Sequence, residues 1–241
     1  MVAKSRYFDN SQLAEAIRIA NGQTKGVSHI NKFGFNDAIN INFETIWDGG
    51  GIYDYIDSVG ASSTLTVTAA NSNDSGYTVK IEGLDANYQP LTETIIATSA
   101  GNTGTSQFYR VFRATITSDG DSGNAGNINI TGDSKTLATI SAEKGQTLMA
   151  LYTVPADKKG YLLQFQGSVE KNKETIFKFM AKESNDRPFN TKGQFGSFGV
   201  PVTYDYPIPL EFPEKTDLEV RAKAGAVTGA GAIFDLILID D

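Results

Sequence analysis

Cysteine is absent from the 241 residues, and histidine occurs once, as His29. Without thiols there is no disulfide framework, no thiol nucleophile and no Cys/His zinc or iron–sulfur site. Basic residues are in deficit: 21 Lys and Arg stand against 28 Asp and Glu, for a formal net charge of −7. No Lys/Arg-rich block interrupts that background. A general nucleic-acid or membrane-surface binder needs clustered cations to neutralise phosphates or anionic headgroups, so both classes are disfavoured. Long apolar runs are missing too. Residues 233–239 contain Asp235 and fall far short of the roughly 20 residues of a membrane span. Residues 1–21 alternate polar and apolar side chains, whereas a secretory signal carries an apolar block of roughly 7–15. The chain reads as made in the cytosol. What it does have is 24 Gly, 14 Phe and 10 Tyr within a hydrophobic content of 40%. That is enough apolar material for real cores, with the glycine of a turn-dense β protein.

One helix is expected, at the N-terminus. Asp9 can cap it, Gln12 completes a capping box, and Asn21-Gly22 supplies a left-handed stop. Leu13 and Ile17 share one face, so a helix this short needs a partner surface, either the chain's own body or another subunit. From Gly26 to Tyr55 no clean period shows, and aromatic, Asn and Gly residues suggest an extended, irregular arm pinned by large rings. Trp47, beside three glycines, reads as a packing anchor at a tight turn.

Short strands then recur, with candidates at 64–69, 77–83, 91–98, 107–117, 127–131 and 136–140. Several alternate apolar and polar residues, and Gly/Asn/Asp turns separate them, as in a sandwich or barrel. A second block has candidates at 147–154, 161–169, 175–182, 196–204, 218–223 and 233–239. Pro201, Pro207, Pro209 and Pro213 fall in one stretch, which must be an edge strand or a crossing between sheets. The fold class is therefore all-β: jelly-roll-like β-sandwiches preceded by a short N-terminal helix and an extended arm. The expected domains are 1–56 (helix and arm), 57–144 (first β domain) and 145–241 (C-terminal sandwich), a single larger β unit being the alternative.

Catalytic patterns are scarce. No Gly-x-Ser-x-Gly elbow accompanies His29. The spacing Asn71, Asn73, Ser75, Gly76, Glu82 mimics a calcium loop, but position 1 is Asn and strands flank it, so a hairpin turn accounts for every residue. Glycosidases use two carboxylates whose separation is a three-dimensional property. In Phe108-Tyr-Arg-Val-Phe-Arg113 the alternation makes a core face, yet Arg110 falls on that same face and marks a bulge or a strand end. The residues call for no catalytic group, metal or other cofactor.

Several phrases stand together: Val27-Ser-His-Ile-Asn-Lys-Phe-Gly34, Trp47-Asp-Gly-Gly-Gly51, Gly83-Leu-Asp-Ala-Asn-Tyr88, Tyr109-Arg-Val-Phe-Arg-Ala114, Tyr152-Thr-Val-Pro-Ala156, Pro213-Glu-Lys-Thr-Asp217 and Phe234-Asp-Leu-Ile-Leu238. This set resembles a family of virion structural proteins of tailed bacteriophages, especially marine ones. The resemblance implies a non-enzymatic particle component in the virion, with a capsid decoration or cement role on the head as the leading expectation. A tail or fibre component with a glycan-binding sandwich, its rim at 184–189 and 224–231, is the alternative. Its implied partners are the major capsid protein or other virion proteins and further copies of itself, not nucleic acid or membrane. Leu13, Ile17, Phe33, Phe35 and Trp47 are the expected docking contacts.

Overall fold

The computed structural model describes residues 10–56, 61–118, 123–170, 173–183 and 188–241, residues 10–13 by their backbone alone. The expected helix is α1 (Asn10–Ala20). It ends as the sequence suggests, on Gly22 at φ +66°, with Gln23 N–H returning to the Arg18 carbonyl at 2.8 Å. Asp9, its expected cap, lies outside the described residues. Among the described residues no helix is long and apolar enough to cross a membrane.

Nine strands build the larger unit: β1 (Val27–Ile39), β2 (Glu44–Thr45), β10 (Leu151–Thr153), β11 (Lys158–Val169), β12 (Glu174–Lys182), β13 (Asn190–Phe198), β14 (Val202–Phe212), β15 (Asp217–Ala224) and β16 (Thr228–Asp240). Sheet I has the order β1-β16-β11-β14, and sheet II the order β10-β15-β12-β13, with β2 also pairing β15. β2 meets β15 at Arg221 and Ala222, while β10 meets it at residues 217–219, so the two lie end to end along one edge. Counted as one broken strand, they leave eight strands in the orders 1-8-3-6 and 2-7-4-5, the two interlocked Greek keys of a jelly roll.

The break is filled by β3 (Thr66–Ala69), β4 (Thr78–Leu84), β5 (Pro90–Ile96), β6 (Asn102–Thr103), β7 (Arg110–Ile116), β8 (Ile128–Gly132) and β9 (Lys135–Ile140). They form sheet III (β6-β3-β8-β9) and sheet IV (β5-β4-β7). The first β block is thus an insertion into a strand of the second, and the expected boundaries change accordingly. Residues 27–45 are not an arm: β1 pairs with β16 from Val27↔Ile239 to Ile39↔Thr228, and β2 belongs to sheet II. β1 escapes detection by period because its polarity is inverted. Lys32, Gly34 and Asn36 are buried, while Phe35 on the other face is 40% exposed. A Cβ on Gly34 would sit 2.3 Å from both Ala150 N and Ile46 O, so only glycine lets β1 pass the strand break.

The jelly-roll core is phenylalanine-rich and joins the two sheets. Phe179 of β12 packs on Phe212 and Phe234 of sheet I at 6.0 and 5.3 Å, and Phe165 of β11 stacks on Phe195 of β13 at 4.7 Å. Among the described residues, five of the largest wholly buried side chains are the Phe of this core, and burial of each stabilises by roughly 1.5–3 kcal/mol. The proline-rich stretch is, as expected, both a crossing and an edge. The chain leaves sheet II after β13, turns through Pro201, and enters sheet I as its edge strand β14. From Leu162↔Leu210 to Gln164↔Asp205, two steps of β11 face five of β14, and Pro207 and Pro209 fall in that bulge. Prolines and a bulge both spoil the edge as a template for further pairing.

The seam between insertion and jelly roll is polar. Arg110 and Asp217, each with a side chain only 2% exposed, form a bidentate pair there, Nε–Oδ1 2.8 Å and Nη2–Oδ2 2.9 Å. Beside them Glu219 is bonded by Arg221 and by the Tyr55 hydroxyl at 3.2 Å. Burial pushes the Glu219 carboxyl up to about 7, against the opposing pull of Arg221 and Tyr55. The folded state thus keeps a proton that an ordinary carboxyl near 4.5 gives up. That contribution to stability is complete below about pH 4.5 and is lost as pH rises through about 7. The urea midpoint is expected to fall across this window, and Glu219→Gln, which cannot titrate, to flatten the fall; an unchanged slope in the variant would refute the assignment.

Candidate docking surface

The outer face of sheet I is built from the residues that alternate away from the phenylalanine core. On β1 these are His29, Asn31, Phe33 and Phe35; on β16 they are Ile233, Asp235 and Ile237. Asn31 and Asp235 are cross-strand partners, and Asn31 Nδ2 donates to Asp235 Oδ1 at 2.7 Å. His29 Nε2 lies 3.0 Å from the same oxygen. That hydrogen bond holds the His29 imidazole above its ordinary range despite partial burial. Burial acts to raise Asp235, but the bonds from His29 and Asn31 outweigh it and hold the carboxyl below the usual range. On β11 and β14, Gln166 donates to Gln164 at 3.0 Å and Gln164 to Asp205 at 2.5 Å.

Two grooves cross this face. One, of about 920 Å³, separates α1 from the sheet, with Ala16 and Ile19 above and Ile237, Leu163, Asp205 and Asp235 below. The other, of about 430 Å³, is apolar and walled by Phe33, Phe35, Leu148, Pro201 and Ile233. The Phe35 ring rests on a bare backbone: a Cβ on Gly229 would come within 2.8 Å of it.

Of the five expected docking residues, the fold brings Phe33 and Phe35 together in one groove. Ile17 is on α1, 51% exposed, because the helix turns Ala16 and Ile19 toward the sheet and Ile17 away from it. Leu13 lies within α1, but its side chain is outside what the structure describes. Trp47 does not belong with them. It is 4% exposed, its Nε1 donates to the Gly50 carbonyl at 2.9 Å, and its ring meets Tyr53 edge-on at 5.0 Å. It is a packing anchor where the chain enters the insertion.

Other sequence candidates are accounted for structurally. Asn71 caps a short 3₁₀ turn, Ser75 bonds Ser99, and Glu82 pairs with Lys80 at 2.9 Å, so the calcium-like spacing is a turn followed by a strand. The suspected irregularity at Arg110 is real: the β4/β7 register shifts at Glu82/Gly83. Its purpose, the pair with Asp217, could not be read from local sequence. Of the proposed glycan rim, residues 184–187 lie outside the described residues, and Phe189 packs on Tyr55 at 5.6 Å. The remaining residues, 224–231, split between the buried end of β15 at Ala224, an exposed turn at 225–227 and the largely buried start of β16.

A glycosidase acid must stay protonated at working pH, yet Asp235 is held in the opposite direction. Glu219 has the required elevation but is 0% exposed. Asp48, half-buried and pushed up to about 7 by burial, accepts the Leu148 N–H at 2.7 Å beside the strand break. No family model and no curated protein matches the chain.

Proposed function

We propose that this protein is a non-enzymatic structural component of a tailed-bacteriophage virion, a decoration or cement protein that docks on the outer surface of the head. The observation that carries this reading is the outer face of sheet I, where Phe33, Phe35 and Ile233 line an open apolar groove beside a helix with Ile17 exposed. Contiguous apolar surface of this kind is what an assembling protein buries against its neighbours. The jelly roll is a frequent architecture of viral capsid domains, which supports the reading at the level of fold.

Because β1 is a sheet strand, removing residues 1–35 would test folding instead of docking. The informative variants are a truncation through Asn21, which spares β1, and Phe35→Glu. Each is expected to lower occupancy of particles lacking the protein by at least about tenfold, the cost of roughly 1.4 kcal/mol per lost docking contact. Quantitative gels of reconstituted particles would measure it. Unchanged occupancy in both variants would exclude this face, and labelling confined to the tail would favour the tail or fibre role.

A further inference from the structure

The opposite face of the same sandwich carries the inverse chemistry. In a chain of net charge −7, the outward positions of sheet II gather cations. The register sets Lys178 of β12 beside Arg221 of β15, and Ile176 beside Lys223. Phe43 lies among them, its ring centroid 4.2 Å from Lys178 Nζ and 5.0 Å from Lys223 Nζ. Of the nearby acids, Glu183 is paired with Lys192 at 2.6 Å and Glu219 with Arg221, while Glu174 stands exposed at the end of β12. Lys178 and Lys223 form no salt bridge among the described residues. Next to these lysines is a groove of about 330 Å³ between Ile41, Ile176 and Phe198. Ile41 is 69% exposed and Phe198 71%.

Sheet I presents the complement. Glu15, Asp205 and Asp235 border its larger groove, Glu15 beside Arg18 at 3.6 Å and Asp235 beside His29 at 3.0 Å, and Phe35, Ile233 and Ile239 of the sheet and Ile17 of α1 are exposed around it. We propose that copies of this chain associate face to back, the cationic outer face of sheet II in one copy seating on the acidic outer face of sheet I in the next. This rests on the reading of sheet I as an assembly face and adds a second neighbour to it, the next copy seating over the groove beneath α1 and the head over the Phe33/Phe35 groove. Stacking like on like would oppose charges of one sign, whereas this pairing matches opposite charges around apolar residues on both sides. The contact is heterologous, because the two surfaces differ, so it repeats from copy to copy into a ring or a row.

The test is sedimentation velocity on the full chain without particles, over a range of protein concentration at low and high salt. Association that grows with concentration and weakens in high salt is expected. Lys178→Glu with Lys223→Glu should weaken it at least about tenfold, as should Glu15→Lys with Asp205→Lys. Mixing the two reversed proteins should restore association, since the new acidic face then meets the new basic one. Melting temperatures and circular dichroism would certify that both variants fold. A wild-type chain that stays monomeric throughout, association indifferent to the lysine reversals, or a mixture that fails to recover would each overturn the proposal. Particle occupancy is a separate readout: a monomer that still fills particles sinks the stacking alone, and intact stacking without particle binding sinks the decoration role.

Discussion

Replacing Asp217 by alanine is expected to cost about 3–5 kcal/mol of stability, among the largest effects of any single substitution in the protein. The loss comes less from the pair itself than from what is left behind. Arg110 would remain buried, with its Nη1 bonded to the Ile56 and Tyr109 carbonyls at 2.8 and 3.1 Å but without the bidentate carboxylate of Asp217. Its guanidinium lies 4.1 Å from the centre of the Tyr109 ring and 5.1 Å from that of Tyr55, so it has no route to water without opening the seam. Asp217 also accepts the Thr153 hydroxyl at 2.6 Å, which would lose its acceptor. Arg110→Met combined with Asp217→Leu removes both charges and should be markedly less damaging than Asp217→Ala alone, since well-packed apolar replacements of a buried pair are often near neutral. Urea unfolding of Arg110→Met, Asp217→Leu and the double variant gives the coupling directly. If the double variant loses as much as the singles combined, the stranded charge is not the cause.

Trp47→Ala should cost a similar amount, about 3–5 kcal/mol, by leaving a cavity that the surrounding backbone cannot fill. The ring is clamped from both sides. A Cβ on Gly49 would lie 2.2 Å from it, and Tyr53 meets its edge. Trp47 also bridges to Met149, the residue at which the chain returns from the insertion, so the cavity would open where the two units are joined. Trp47→Phe keeps most of the volume and loses the bond to Gly50, and should cost much less than Trp47→Ala. Thermal unfolding with particle occupancy measured in parallel separates this role from docking. A Trp47→Ala protein of normal stability that no longer binds particles would reverse the conclusion drawn from its burial.

What was legible in the sequence follows from which strands have one wet face. β4 and β8 alternate because one side packs inward and the other meets solvent, and both were found within a residue or two. β1 was missed because its inward side faces the seam, where Lys32 bonds the Phe112 carbonyl and Asn36 the Thr45 carbonyl, while its aromatic residues face outward. The pattern over residues 196–204 reads as one strand where there are two, because the turn at 199–201 separates segments that are both edge strands and largely exposed. The groove on sheet I is legible in part for the same reason: exposed rings on an apparent arm are visible as rings, but only the β1/β16 register places Phe33 beside Ile233. The cationic face was not legible, since Phe43 joins Lys178 and Lys223 only through the pairing of β12 with β15.

The placement of β1 against β16 also sets a timetable. During synthesis the insertion, whose sheet partners are all local to it, can complete its own core while the chain is still growing. The jelly roll cannot, because β1 waits for a partner that is synthesised after every other strand of the two sheets. Until then Phe33, Phe35 and Ile39 have no strand beside them, and the early-formed insertion is what keeps Ile46 and Ala150, bonded at 2.9 Å in the finished protein, within reach of each other. The nascent chain is therefore most vulnerable to mispairing in the interval just before β16 emerges, and a folded insertion is the part that shortens the search.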